Sequence, residues 1–165
     1  SKLAHARSSG ADFGMSPSEL QIDYAGVMEH VADVISRIAP HDSQERFEKL
    51  GVRVIREYGT FVSATRVRAG NDTVTARRIV IATGSSPLVP PIPGLEDVPY
   101  ETNETIFGLR DKPEHLLIIG GGPIGVEMAQ AHRRLGCEVT IVEGDKALGR
   151  DDPECASIVL DLLLY

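Results

Sequence analysis

The run Leu116-Leu117-Ile118-Ile119-Gly120-Gly121-Gly122-Pro123-Ile124-Gly125-Val126-Glu127 sets Gly-x-Gly-x-x-Gly between a short apolar segment and an Ala-containing helical pattern. A strand feeding such a turn into a helix is the phosphate-binding element of a dinucleotide site. Gly120 permits the tight turn, Gly122 lets backbone approach a pyrophosphate, and Gly125 lets the helix pack closely on its strand. Gly121, Pro123, Ile124 and Val126 complete the turn and the first helical residues, and the unpaired N–H groups at such a helix start face an anion. The motif alone is weak evidence, but a second apolar run, Glu138-Val139-Thr140-Ile141-Val142, follows it and ends in Glu143. An acid roughly 20 residues beyond the glycines is the expected ribose ligand. A carboxylate there accepts hydrogen bonds from the adenosine ribose hydroxyls and repels a 2′-phosphate. No Arg closely follows Glu143, so NAD is favoured over NADP.

The 165 residues are 42% hydrophobic and 25% charged, enough for one modest core or two small lobes. A net charge of −7 argues against broad nucleic-acid or anionic-membrane binding and leaves a small molecule as the expected partner. Apolar runs such as residues 116–119 and 158–164 fall well short of the ~20 residues that span a bilayer, and neither a signal nor a transmembrane segment is found. Cys137 and Cys155 are too few for a disulfide framework and too isolated for a zinc site, which points to a reducing, cytoplasmic setting. The five histidines lack ligand spacing, so no metal is expected. The chain opens on Ser1 rather than Met and stops at Tyr165 inside an apolar helical pattern, the expected signature of a segment of a longer protein.

Along the chain, residues 1–9 suit a short helix and residues 10–18 a loop. From Asp23 as N-cap, Val27, Met28, Val31, Val34, Ile35 and Ile38 form one apolar stripe that Pro40 terminates. Asp42 with Glu45 fits a capping box for a second helix, with Phe47 and Leu50 turned inward and an end at Gly51. Short β-type runs follow at residues 52–55, 59–62, 65–68, 73–75 and 78–81, with Gly70-Asn71-Asp72 as a turn. They predict an antiparallel meander leading to a buried strand that ends in Ala82-Thr83-Gly84-Ser85. Pro87, Pro90, Pro91 and Pro93 then enforce an extended connector between domains.

In this order and spacing, Ala82-Thr83-Gly84-Ser85, the proline-rich connector, Asn103-Glu104-Thr105-Ile106-Phe107 and the glycine turn resemble the pyridine nucleotide-disulfide oxidoreductases. Dihydrolipoamide dehydrogenase and mercuric reductase-like flavoproteins look most similar, the latter through Pro40-His41-Asp42-Ser43-Gln44-Glu45-Arg46-Phe47. The resemblance implies an α/β fold. Residues 1–108 would be a partial FAD-binding, Rossmann-like domain with an antiparallel β-meander and connector. Residues 109–165 would carry the first βαβ unit of an NAD-binding Rossmann domain. It implies FAD and NAD as cofactors and an electron path from NADH through flavin to a redox disulfide and a small-molecule or disulfide substrate. The full-length enzyme would be a homodimer. Ser1-Lys2 would end a Cys-x-Pro-Ser-Lys motif, placing both redox cysteines upstream, and the isolated segment would be inactive.

Position by position, Thr83, Gly84 and Ser85 match a segment that passes along the FAD, and Gly59 matches a backbone contact to its adenine. Lys2 and Glu127 match an ion pair beside the reactive flavin edge, where they would be catalytic and cofactor-binding. Each has a plainer reading: Glu127 is also a favourable carboxylate in the first turn of a helix, and residues 83–85 also read as an ordinary strand end. Two other functions stay open: a flavin reductase with a non-disulfide acceptor, and a nucleotide-binding remnant without catalysis.

Overall fold

The computed structural model describes residues 21–163. The expected helix at residues 1–9, the loop at 10–18 and Lys2 lie outside them. The described residues divide into two compact units, one comprising residues 21–30 and 103–163, the other residues 31–102.

The first unit holds the predicted βαβ element. Strand β4 (His115–Ile119) runs parallel to β5 (Glu138–Val142), in a register that sets His115 beside Glu138 and Ile119 beside Val142. Helix α3 (Pro123–Arg134) connects them, with proline in its first turn, where a missing N–H removes no helical bond. It ends in a Schellman motif. The Cys137 N–H donates to the His132 carbonyl (3.1 Å) and the Gly136 N–H to the Arg133 carbonyl (3.1 Å), with Gly136 at φ +86°. Helix α4 (Pro153–Leu163) is capped by Asp152, whose Oδ1 accepts from the Glu154 and Cys155 N–H groups.

Two small cores hold this unit together. Val126, Leu148 and Ala156 pack with Ile141, Val159, Leu160 and Leu163, joining α3, β5 and α4. Tyr24, Met28 and Cys137 pack with Leu109, Leu135 and Val139. Burial raises the pKa of the Cys137 thiol, partly opposed by the nearby Lys112 charge, so this sulfur is a packed group rather than a reactive thiolate. His132 Nδ1 pairs with the Met128 carbonyl at 2.9 Å, and its ring lies 6.2 Å from that of Tyr24.

Helix α1 (Tyr24–Ile38) begins as the sequence predicts, with the Gly26 N–H donating to Asp23 Oδ1 at 2.9 Å. Its stripe is buried only at the start, however: Tyr24 and Met28 are covered, whereas Ile35 and Ile38 are half exposed. The next cap differs from expectation. Helix α2 (Gln44–Lys49) is capped by Ser43, whose Oγ accepts from the Arg46 N–H, not by Asp42, which sits in a 3-10 turn. Glu45 pairs with Lys49 on the next turn instead of completing a capping box. Phe47 and Leu50 face outward. A helix this short stays where its cap and a Schellman stop at Gly51 hold it, with little burial to orient it.

In the second unit, β1 (Gly59–Ser63), β2 (Arg66–Ala69) and β3 (Asp72–Thr75) form the antiparallel meander, with a bulge between Phe61 and Ser63. The runs at 52–55 and 78–81 join neither sheet, and Val80 and Ile81 are exposed rather than buried. A strand is defined by its ladder partner. The short turns supply one to each of β1–β3, while residues 78–81 have none among those described.

Ser43→Ala is expected to lower stability by about 1 kcal/mol and Asp42→Ala to leave it nearly unchanged. Urea denaturation of both variants compares them, and the reverse order would return the cap to Asp42.

Candidate dinucleotide site

The parallel register brings the carboxyl ends of β4 and β5 level, and the glycine turn and Glu143 therefore emerge side by side. Ligands of open α/β sheets bind at this edge. The Gly120 N–H donates to the Val142 carbonyl at 2.8 Å, extending the ladder by one bond. Gly120 then turns at φ +113°, a conformation that side chains rarely adopt.

Both peptide planes of the next residue are held. The Gly121 N–H, in the 120–121 peptide, donates to Glu143 Oε2 at 2.7 Å, while the Gly121 carbonyl, in the 121–122 peptide, accepts from the Leu148 N–H at 2.8 Å. Glu143 Oε1 accepts from the Asp145 N–H at 3.1 Å. Hydrogen bonds from the Gly121 and Asp145 amides, outweighing a small desolvation penalty, and another from Gly144 hold the Glu143 carboxyl below the usual glutamate range. A carboxylate offers about four lone-pair sites, so acceptor capacity remains for a hydroxyl donor.

Gly125 has no room for a side chain: a Cβ there would lie 2.1 Å from the Gly120 carbonyl oxygen and 3.3 Å from Ile118 Cγ2. Gly121 is nearly as confined, with Ala147 Cβ at 3.0 Å. Gly122 is the opposite case, since a Cβ there would meet nothing within 4 Å. As the N-cap of α3 it offers no side-chain cap to the helix start. The result is an open, uncapped helix N-terminus behind a rigid turn, with the positive end of the helix dipole directed outward. This geometry fits the pyrophosphate of a dinucleotide. Ile124 and Glu127 are exposed in the first turns of α3, and Val126 is buried beneath them.

In the other unit, Thr83, Gly84 and Ser85 are exposed and outside regular structure. Gly84, at φ +69°, has nothing within 4 Å of a Cβ position, which leaves backbone that a flavin nucleotide can approach. Gly59 opens β1, its Cβ position 3.3 Å from Val67 Cγ1. Among the described residues no group of three or more His, Cys, Asp or Glu is arranged to hold a metal, and no helix is long and apolar enough to cross a membrane.

A model of the pyridine nucleotide-disulphide oxidoreductase family matches residues 8–164. The chain belongs to this family. It is 29% identical to a mercuric reductase of Bacillus cereus over 98% of this chain and 26% of the relative. With a dihydrolipoyl dehydrogenase of Acholeplasma laidlawii the identity is 33% over 80% of this chain and 40% of the relative. Among solved structures, the HOCl-induced flavoprotein disulfide reductase RclA from Escherichia coli, as its Cu(II) complex, superposes with a TM-score of 0.71. There the identity is 26%, over 98% of this chain and 35% of that one. The chain thus spans between about a quarter and two fifths of the length of these relatives. Membership of the pyridine nucleotide-disulphide oxidoreductases implies FAD and NAD(P) as cofactors.

Residues 145–148 escape a sequence reading. Leu148 has φ +53°, the one non-glycine residue with positive φ among those described, and is buried. Such a conformation costs on the order of 1–3 kcal/mol and marks a segment held in place by its surroundings. Nothing in a leucine codon position signals it; only Gly144-Asp145 hints at a turn.

Two outcomes follow from this geometry. The lowered Glu143 carboxyl means the folded state binds that proton more weakly than the unfolded chain. Its contribution is therefore complete above the ordinary glutamate pKa of about 4.3 and is lost as pH falls through the lower folded value. In an NMR titration the Gly121 amide should shift with that low-pH transition and lose the response in Glu143→Gln; an amide indifferent to pH would contradict the bond. Gly125→Ala should destabilise by about 1–3 kcal/mol through overpacking, read from its denaturation midpoint, and an unchanged midpoint would contradict the contact with Gly120.

Proposed function

We propose that this chain supplies the nicotinamide-dinucleotide site, and part of the adjoining flavin domain, of an FAD-dependent, NAD(H)-linked oxidoreductase of the disulfide-reductase type. The observation that carries it is the contrast between the two confined glycines, Gly121 and Gly125, and the open Gly122 at an uncapped helix start. The turn is rigid where it touches protein and bare where a phosphate would lie.

On this reading, the amides at the open start of α3, at Gly122, Ile124 and Gly125, hold the pyrophosphate, while Gly120, Gly121, Pro123 and Val126, whose own N–H donates to the Gly122 carbonyl at 3.0 Å, shape the turn around it. Glu143 uses its remaining acceptor capacity for the adenosine ribose hydroxyls, which selects NAD over NADP. Glu127, exposed near the start of α3, would help place the nicotinamide, and the positive charge of Lys2, its ion-pair partner by resemblance, would stabilise reduced flavin. Gly59, Thr83, Gly84 and Ser85 lie along the FAD. The bound flavin supplies the two-electron relay between NADH and a redox disulfide. Residues 1–108 then belong to the FAD-binding domain and 109–165 to the NAD-binding domain of a cytoplasmic homodimer that reduces a small-molecule or disulfide substrate.

Gly122→Ala tests the site cleanly, because the added methyl meets no protein atom and the backbone there, at φ −75°, suits any residue. Its thermal midpoint should match the parent, while NADH affinity, read by fluorescence titration, should fall at least about tenfold because the methyl occupies the approach to the pyrophosphate. Equal affinity in the two proteins would remove the phosphate from this turn.

A further inference from the structure

We infer that Leu148 is a positioning residue for the dinucleotide turn, acting through its backbone rather than its side chain; the inference deepens the dinucleotide reading above and rests on it. Gly121 stands between two fixed partners, Glu143 Oε2 on the N–H of the 120–121 peptide and the Leu148 N–H on the carbonyl of the 121–122 peptide. Ala147 Cβ lies 3.0 Å from where a Cβ at Gly121 would sit, so a side chain there would force the segment to give way. The plane of the 121–122 peptide, which also carries the Gly122 N–H, sets how that amide is presented to an anion. Segment 143–148 therefore works as a template on which the turn is cast.

The Leu148 N–H reaches Gly121 in a left-handed conformation at φ +53°. Glycine and asparagine adopt that conformation readily, leucine at a cost, and a β-branched residue hardly at all. The Leu148 side chain is anchored at the same time between Val126 of α3 and Ala156 of α4. Packing thus holds a backbone geometry that the residue does not favour by itself. Moving either helix pulls on the bond to Gly121, so the core under the site and the phosphate turn shift together.

Substitutions separate the two roles because their orders are opposite. Leu148→Gly and Leu148→Asn fit the left-handed conformation and lose apolar packing. Leu148→Val keeps apolar character and cannot hold the conformation. If the backbone positions the turn, the Gly and Asn variants melt at lower temperature yet keep NADH affinity within about twofold, and Leu148→Val binds at least tenfold more weakly. Hydrogen exchange of the amides at positions 148 and 121 should be slow in the parent, Gly and Asn proteins and at least tenfold faster in the Val variant.

The opposite order, with Val intact and Gly and Asn impaired in binding and in amide protection, would assign Leu148 a packing role alone and overturn the inference. Should Leu148→Val not fold, the Gly and Asn variants decide by the same criteria. If the parent protein fails to bind NADH, the dinucleotide reading falls on that result, and the exchange rates still report separately whether residue 148 fixes the Gly121 peptide.

Discussion

A hydrogen bond of 2.7 Å between the Gly121 amide and the Glu143 carboxylate joins the ends of two parallel strands, and the geometry of the site depends on it. Parallel strands cannot be closed by a hairpin, so their ends are free to splay unless something other than the ladder ties them. Here the tie is charge-assisted, which makes it stronger than an ordinary amide bond. It also comes with a second contact from the same segment, the Leu148 N–H to the Gly121 carbonyl. With both polar groups of Gly121 engaged, α3 leaves the turn in a single direction. Val126 is thereby placed in the core with Leu148 and Ala156.

On the proposed reading, the arrangement lets an acidic chain, with a net charge of −7, offer an anion site. Glu143 stands beside the turn, yet its oxygens are engaged by backbone amides. These bonds partly compensate its negative charge. The attraction for phosphate would then come from the uncapped amides of α3, a short-range field that the overall charge barely alters. The same carboxylate retains acceptor capacity for neutral hydroxyls and would repel an added phosphate monoester, so one residue can serve as both brace and selector.

Several local features are legible because they depend on a few neighbouring residues. Asp23 caps α1, and β1–β3 pair as a meander. Misreadings arise where two local solutions compete. Asp42 and Ser43 are both good N-caps, and the choice between them rests on a 3-10 turn at residues 39–42 that holds Asp42 and ends at Ser43. Likewise the apolar run at 78–81 has the composition of a buried strand, but composition supplies no partner for its backbone. The outward half of the α1 stripe makes the same point, since periodicity marks a face without saying what covers it.

The sequence by itself determined the strand–turn–helix order, the glycine positions and the acid at the end of β5, because each is a covalent spacing that the chain carries into any fold. It also determined which glycines are candidates for a phosphate turn. What only the tertiary structure decided is the division of labour among them. Glycine is required at position 125 by the Gly120 carbonyl that lies against it and Gly121 is closely confined by Ala147, whereas Gly122 faces open space. The role of Leu148 was settled at the same level. Its left-handed backbone arises from packing between two helices and from a bond to a residue 27 positions earlier, and contacts of that kind exist only once the chain has folded back on itself.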